Sequence, residues 1–181
     1  MAGTKEPVSF QATLRRAAGE GWLFLRLPQE ASDQLPSRAM VSVEGHFGGA
    51  PFVATLVPDG EGGHWLRVKH VWLAAVGAAV GDQVSLTIAP VAIEPEPEVP
   101  SDLQQALEAA PETARETWRS VTPLARRDWV FWVVSAKRAG TRAKRIEVAM
   151  DKMAKGNRRP CCFDRTGMYD KSLSPPVAEE G

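Results

Sequence analysis

The sequence predicts an α+β protein, an N-terminal β-barrel built from two copies of one motif and followed by a small all-α domain. Three observations carry this. The window Phe10-Gln-Ala-Thr-Leu14 returns as Phe52-Val-Ala-Thr-Leu56. Apolar residues recur every second position before residue 90 and at helical spacing after residue 100. Between the two regimes lies Pro90-Val-Ala-Ile-Glu-Pro-Glu-Pro-Glu-Val-Pro100, where prolines remove backbone donors and glutamates favour solvent. The predicted organisation is a disordered N-terminus at 1–9, a barrel at 10–90, a linker at 91–100, helices at 101–157 and a flexible tail at 158–181.

Each copy of the motif reads strand, strand, short helix, strand. Phe10, Ala12 and Leu14 alternate with Gln11 and Thr13, and Phe52, Ala54 and Leu56 with Val53 and Thr55, as half-buried strands require. Phe24-Leu-Arg-Leu27 matches Trp65-Leu-Arg-Val68, and the helical stretch Gln29–Leu35 matches His70–Val76. Met40-Val-Ser-Val43 matches Gly81-Asp-Gln-Val84. The offset is 42 in the first window and 41 afterwards, a change that one hairpin absorbs. Neither copy alone encloses a sufficient core, whereas two interlocked copies close a barrel and remove exposed edges.

Past Ser101 the signals are helical. Ser101 and Gln104 form a capping-box pattern, Pro111 suits a first helical turn, and Thr122-Pro123 opens a third helix. Trp129-Val-Phe-Trp-Val-Val134 resembles a buried strand, but Leu124–Ala136 is long for one, and Ala125, Trp129, Trp132 and Ala136 share a helical face. Gly140 ends that segment and Thr141 caps the next. There Ala143, Ile146, Met150 and Met153 form the expected apolar stripe, stopped at Gly156-Asn157.

Lys and Arg number 22, as do Asp and Glu, so the formal net charge is zero. That balance hides an asymmetry: residues 1–100 carry a net charge of −4, and residues 115–159 carry +9. Lys137, Arg138, Arg142, Lys144, Arg145, Lys152 and Lys155 are therefore the candidate polyanion-binding residues. The alternative is a solvated helix face partly neutralised by Glu147 and Asp151.

Other chemistry is sparse. His46, His64 and His70 fall in the barrel without metal-ligand spacing, so no metal site and no cofactor are expected. No phosphate-cradling glycine loop or nucleophile elbow occurs. His64, Trp65, His70 and Trp72 are weaker candidates for lining a small-molecule pocket in an enzymatic or ligand-binding barrel. Cys161 and Cys162 are neighbours that rarely close on each other, and reduced thiols are expected. The first nine residues hold no apolar signal core and no run of 18 apolar residues occurs, which predicts a cytoplasmic protein without a membrane span.

Two stretches resemble known families. "VSVEGHFGGAPFVATLVPDGEGGHWLRV" followed by "GDQVSLTI" resembles a bacterial family of small barrel domains of unknown function. That resemblance implies a double-split β-barrel, similar to the fold that AbrB and MazE form as dimers. From Val99 to Asn157, "VPSDLQQALEAAPETARETWRSVTP" and "RRDWVFWVVSAKRAGTRAKRIEVAMDKMAKG" resemble the YdeI/OmpD-associated family, called bacteriocin-protection proteins. The family name implies tolerance of antimicrobial peptides and names no catalytic residue. The leading expectation is thus a non-enzymatic binding protein acting in such tolerance. A nucleic-acid-binding protein using the basic helices is the alternative, and a ligand-binding or enzymatic barrel comes third. Partners expected on charge are nucleic acid or an acidic protein surface, with the oligomeric state open.

Overall fold

The structure is a computed structural model and describes residues 6–160, 164–168 and 173–180. The chain divides into two compact units, one of residues 1–92 with 164–181 and the other of residues 93–163.

In the first unit, seven antiparallel strands form one nearly closed sheet. They are β1 (Val8–Thr13), β2 (Arg15–Arg16), β3 (Leu23–Arg26), β4 (Val41–Phe47), β5 (Ala50–Pro58), β6 (His64–Val68) and β7 (Gln83–Pro90). Their order is β1-β7-β4-β5-β6-β3-β2, and β1 comes back beside β3 to close the ring. Helix α1 (Gln29–Asp33) precedes β4 and α2 (His70–Val76) precedes β7. This is the double-split barrel with an internal duplication.

The strand register carries the duplication in full. Phe10 faces Leu86 and Ala12 faces Val84 across β1–β7. The repeat offsets move those pairs onto Phe52–Gly45 and Ala54–Val43, which face each other across β4–β5. Arg15–Phe24 in β2–β3 moves onto Val57–Trp65 in β5–β6. Two pairs map onto themselves, His46–Thr87 in β4–β7 and Leu25–Leu66 in β3–β6, so the pseudo-twofold axis passes through both. The core follows the same symmetry, with Leu14 and Leu56, Leu25 and Leu66, and Val43 and Val84 buried as equivalent pairs. Apolar burial at strand spacing from both copies is what holds the barrel together.

The stretch expected to be a flexible tail differs from that expectation. Its described residues 158–160 belong to the helical unit, and residues 164–168 and 173–180 belong to the barrel unit. Ala178 bridges Ala17, the Ala18 amide donates to the Val177 carbonyl at 2.7 Å, and the Glu179 amide donates to the Arg16 carbonyl at 2.9 Å. Beyond β2 the strand edge has unused backbone groups, and Pro175-Pro176 presets the extended geometry that reaches them. Gly60 matters here: a Cβ at that position would sit 2.4 Å from the Leu173 carbonyl oxygen. Expected disorder at 1–9 likewise ends early, since β1 begins at Val8.

The second unit holds α3 (Ser101–Ala109), α4 (Glu112–Ser120), α5 (Pro123–Val134) and α6 (Ala139–Ala154). Leu103 and Leu107 from α3, Ala114 from α4, Trp129 and Val133 from α5, and Ala149 and Met153 from α6 form its core. The Thr122 hydroxyl accepts from the Ala125 amide and Pro123 is the first helical residue, as the sequence predicts. Three boundaries shift. Pro100 is the N-cap of α3 and Pro111 that of α4, so Ser101 makes no capping bond and Gln104 donates to Glu108 instead. Helix α6 starts at Ala139, which places Gly140 and Thr141 inside its first turn.

The linker is also more fixed than its composition suggests. Residues 94–100 have no regular structure but lie against the helical unit. Glu94 pairs with Arg127 at 2.8 Å, and Glu96 accepts from Arg126 Nε at 2.9 Å. Arg126 also donates to the Trp118 and Val121 carbonyls at 3.0 and 2.8 Å, filling acceptors that the end of α4 leaves open.

Candidate functional site

The basic residues of α6 divide into two kinds. Arg142 forks onto Asp102 of α3 at 2.7 and 3.0 Å. This pairing lowers the Asp102 carboxyl pKa and raises that of Arg142. Arg145 donates to the Trp132 carbonyl at 2.7 Å and to Ser135 Oγ at 3.1 Å, and lies over the Trp132 ring. Both side chains are half-buried, while Ala143 is exposed. Of the expected stripe, Ile146, Met150 and Met153 pack against the core, joined by Ala149, and Ala143 alone is turned outward. Arginine stems pack along apolar neighbours while their tips meet a carboxylate and a helix C-terminus, so these two residues act as helix-to-helix ties.

The remaining candidates face solvent more freely. Lys144 pairs with Glu147 at 3.7 Å and Lys155 with Asp151 at 2.9 Å, contacts one helical turn apart on an exposed surface. Among the described residues, the side chains of Lys137, Arg138 and Lys152 meet no carboxylate. Lys137 and Arg138 sit at the start of α6, where no acidic residue occupies the first turn.

The four pocket candidates do not form one lining. His64 is only 1% exposed and lies inside the barrel. Trp65, next in β6, points to the opposite side and stacks on Trp22 with Phe24 edge-on to both. Trp72 of α2 packs against Phe47 and Phe52, and His70 is exposed at the start of that helix. Adjacent strand residues alternate faces, which separates His64 from Trp65.

Around His64 the structure shows a polar network that no sequence motif marks. The ring Nε2 lies 2.9 Å from the Ala39 carbonyl, so Nε2 carries the proton and donates. Nδ1 is then the acceptor for the Ser32 hydroxyl at 3.2 Å. Asp59, also buried, accepts from the Glu61 and Gly63 amides at 2.8 and 2.9 Å and from Arg26 at 3.1 Å. The repeat equivalents of Asp59, His64 and Ser32 are Ala17, Leu23 and Leu73, so only one half of the barrel carries this network. Comparing the two copies position by position is the signal that reveals it. The arrangement pins α1, the 59–63 turn and β6 together. Ser32, whose hydroxyl faces Nδ1, is only 4% exposed.

Burial lowers the His64 pKa below the ordinary histidine value of 6.5, against opposing contributions from the Ala39 carbonyl and Asp59. The unfolded chain then binds a proton that the folded barrel refuses. Stability is fully present above pH 6.5 and declines as pH falls toward the lowered native value, by up to about 1.4 kcal/mol per pH unit. Urea midpoints of the barrel transition should drop between pH 7 and pH 5. In His64→Leu, which installs the residue found at its repeat counterpart Leu23, that pH dependence should be largely gone; an equally steep dependence in the variant would assign it to other groups.

Among the described residues, no three His, Cys, Asp or Glu side chains converge on a metal position. Cys161 and Cys162 lie outside the described residues. No helix among the described residues is long and apolar enough to cross a membrane.

A pseudo-symmetric barrel joined to a helical unit tied by half-buried arginines is the class of protein that these features define. Comparison with known families agrees with both halves. Residues 10–88 match a domain of unknown function (DUF1905), and residues 96–156 match the family described as bacteriocin-protection, YdeI or OmpD-associated (OmdA). The chain is thus an N-terminal domain of unknown function followed by a C-terminal OmdA domain. A search of curated proteins gives no match.

Proposed function

We propose that this protein is a non-enzymatic binding protein of the cytoplasm that acts in tolerance of bacteriocins or other antimicrobial peptides. The OmdA match over residues 96–156 carries the reading. The burial of Ser32 and His64, which keeps a substrate from the hydroxyl–imidazole pair, supports binding over catalysis. The test is survival of a strain lacking the chain under bacteriocin challenge. Greater sensitivity, reversed by the intact protein, is the expected result; unchanged sensitivity across several bacteriocin classes would overturn it.

A second reading, contact with nucleic acid, is favoured by one observation. Lys137, Arg138 and Lys152 have no carboxylate partner among the described residues, while Arg142 and Arg145 already hold helices together. Binding to duplex DNA or single-stranded RNA should then weaken steeply with salt and depend little on sequence. Replacing Lys137 and Arg138 by Ala should lower the salt slope by about 2, one counterion for each lost phosphate contact. No binding at about micromolar protein in low salt, where polyanion contacts are strongest, would leave this face to an acidic protein partner or to solvent.

A further inference from the structure

We propose that the outer face of β2, β3 and β6 binds single-stranded nucleic acid, with Arg15 and Arg67 on its phosphates and the Trp22–Trp65 pair against its bases. The internal duplication singles out this face. Arg26 of β3 and Arg67 of β6 are repeat equivalents, related by the axis through Leu25 and Leu66. Arg26 finds its counter-charge within the chain, at Asp59 (3.1 Å) and Glu61 (3.5 Å). In the other half, Ala17 stands at the place of Asp59. Trp22 stands at the place of Gly63, whose amide Asp59 accepts. Arg67 accordingly lies over the Trp22 ring, 4.6 Å from its centre, and among the described residues it meets no carboxylate. One half thus holds the arginine with an anion of its own. The other holds it on an aromatic ring and leaves the anion to a ligand.

The strand register makes this a surface rather than one residue. Arg15, Phe24 and Arg67 form a row across β2, β3 and β6, and residues paired in this way point to the same side. Their neighbours Leu23, Leu25, Leu66 and Val68 fill the barrel, so the row faces out. Arg15 and Arg67 are exposed, and Arg15 also meets no carboxylate among the described residues. Their Cα atoms are about 10 Å apart, two strand spacings. Between them Phe24 is buried edge-on against the half-buried Trp22 and Trp65. A guanidinium stacked on a ring keeps its N–H edge for bidentate contact with a phosphate. Asp59 and Glu61 sit with Arg26 in the next row, which confines an anion to the Arg15–Arg67 end. A carboxylate-rich peptide would match the arginines but bring no planar group to the indoles, and a duplex keeps its bases stacked within. Single strands supply phosphates and open base faces together. All these residues belong to the barrel unit, so the inference does not rest on the basic residues of α6.

Anisotropy titrations of the full chain against a labelled oligothymidylate of about 12 nucleotides, within the site sizes of barrel domains, test this. Binding should appear at about micromolar protein in low salt and weaken as salt rises. Arg15→Ala/Arg67→Ala should lower the salt slope by about 1.4, the single-strand value for two lost phosphate contacts. Both positions are exposed, so the circular dichroism spectrum should stay unchanged. Trp22→Ala should weaken binding about 5-fold or more through lost stacking, and Trp22→Phe far less. Should Trp22→Ala misfold, the arginine variants still decide. Lys137→Ala/Arg138→Ala should leave most of the affinity for this probe. No binding in low salt, or a slope indifferent to Arg15→Ala/Arg67→Ala, overturns the proposal. Affinity lost only in Lys137→Ala/Arg138→Ala assigns the contact to α6 and also overturns it. Polyglutamate competing as well as the oligonucleotide overturns the choice of nucleic acid.

Discussion

Trp129→Ala should strongly destabilise the helical unit while leaving the barrel signal in place. Trp129 is fully buried at the centre of that unit, among Leu103, Leu107, Val133, Ala149 and Met153. Its ring meets Trp132 edge-on, and its indole N–H donates to the Arg158 carbonyl at 3.1 Å. Truncation removes the largest side chain of a small core and leaves that carbonyl without its donor, for a loss of about 3–5 kcal/mol. A unit of this length has a net stability of roughly 4–10 kcal/mol, so the loss takes a large share of it. Helical ellipticity at 222 nm should fall, and the remaining helical transition should move to much lower urea. Trp129→Phe, which keeps most of the volume, should lose far less. A shift below about 1 kcal/mol in Trp129→Ala would place the core elsewhere.

That core is legible in the sequence because Thr122-Pro123 fixes where α5 begins, and from there helical spacing puts Trp129 inward. The barrel is legible for a different reason. A repeated Phe-x-Ala-Thr-Leu window names equivalent strands, and twofold pairing then follows from closure, register included. What cannot be read locally is whatever depends on partners far along the chain. Arg126 and Arg127 meet Glu96 and Glu94, 30 and 33 residues away, and no local pattern marks those four as partners. The same limit misplaces Ala143 in the α6 stripe. Periodicity sets Ala143 inward by its apolarity and Arg142 outward by its charge. Asp102 and the end of α5 instead give Arg142 and Arg145 a place at the helix contacts.

Of the candidate site residues, the sequence locates the basic region but cannot separate ties from free cations, since both are arginines and lysines at helical spacing. The pocket candidates fail to converge because adjacent residues of a strand face opposite ways and Trp72 is drawn to Phe47 and Phe52. The His64 network is hidden for a third reason. Its members, Ser32, Asp59 and Ala39, are ordinary turn and helix residues whose meaning appears only against Leu73 and Ala17 in the other copy. An internally duplicated chain carries its own comparison, and departures from its symmetry mark where one half has acquired a task.

Gly45→Ala should be among the most damaging substitutions in the barrel, although it adds a single methyl group. Gly45 lies in β4, facing Phe52 of β5 on one side and Ile88 of β7 on the other, one residue from the pair through which the pseudo-twofold axis passes. A Cβ at this position would lie 1.8 Å from the Thr87 carbonyl oxygen and 2.8 Å from its carbon. Those atoms are backbone of the neighbouring strand, so no rotamer change relieves the clash. Strands β4 and β7 must separate, and their ladder joins the two copies. The repeat equivalent of Gly45 is Leu86, which shows that the close approach belongs to this half alone. Forcing strands apart at such a seam should destabilise the barrel by about 3 kcal/mol or more, at the upper end for overpacking. The barrel's urea midpoint should fall sharply, with hydrogen exchange accelerated first at β4 and β7 amides. Gly49→Ala, where a Cβ meets nothing within 4 Å, is the control for backbone strain, because Gly49 has a φ of 93°. A loss in Gly45→Ala no larger than in Gly49→Ala would mean that backbone conformation, and not the approach of β7, requires glycine at position 45.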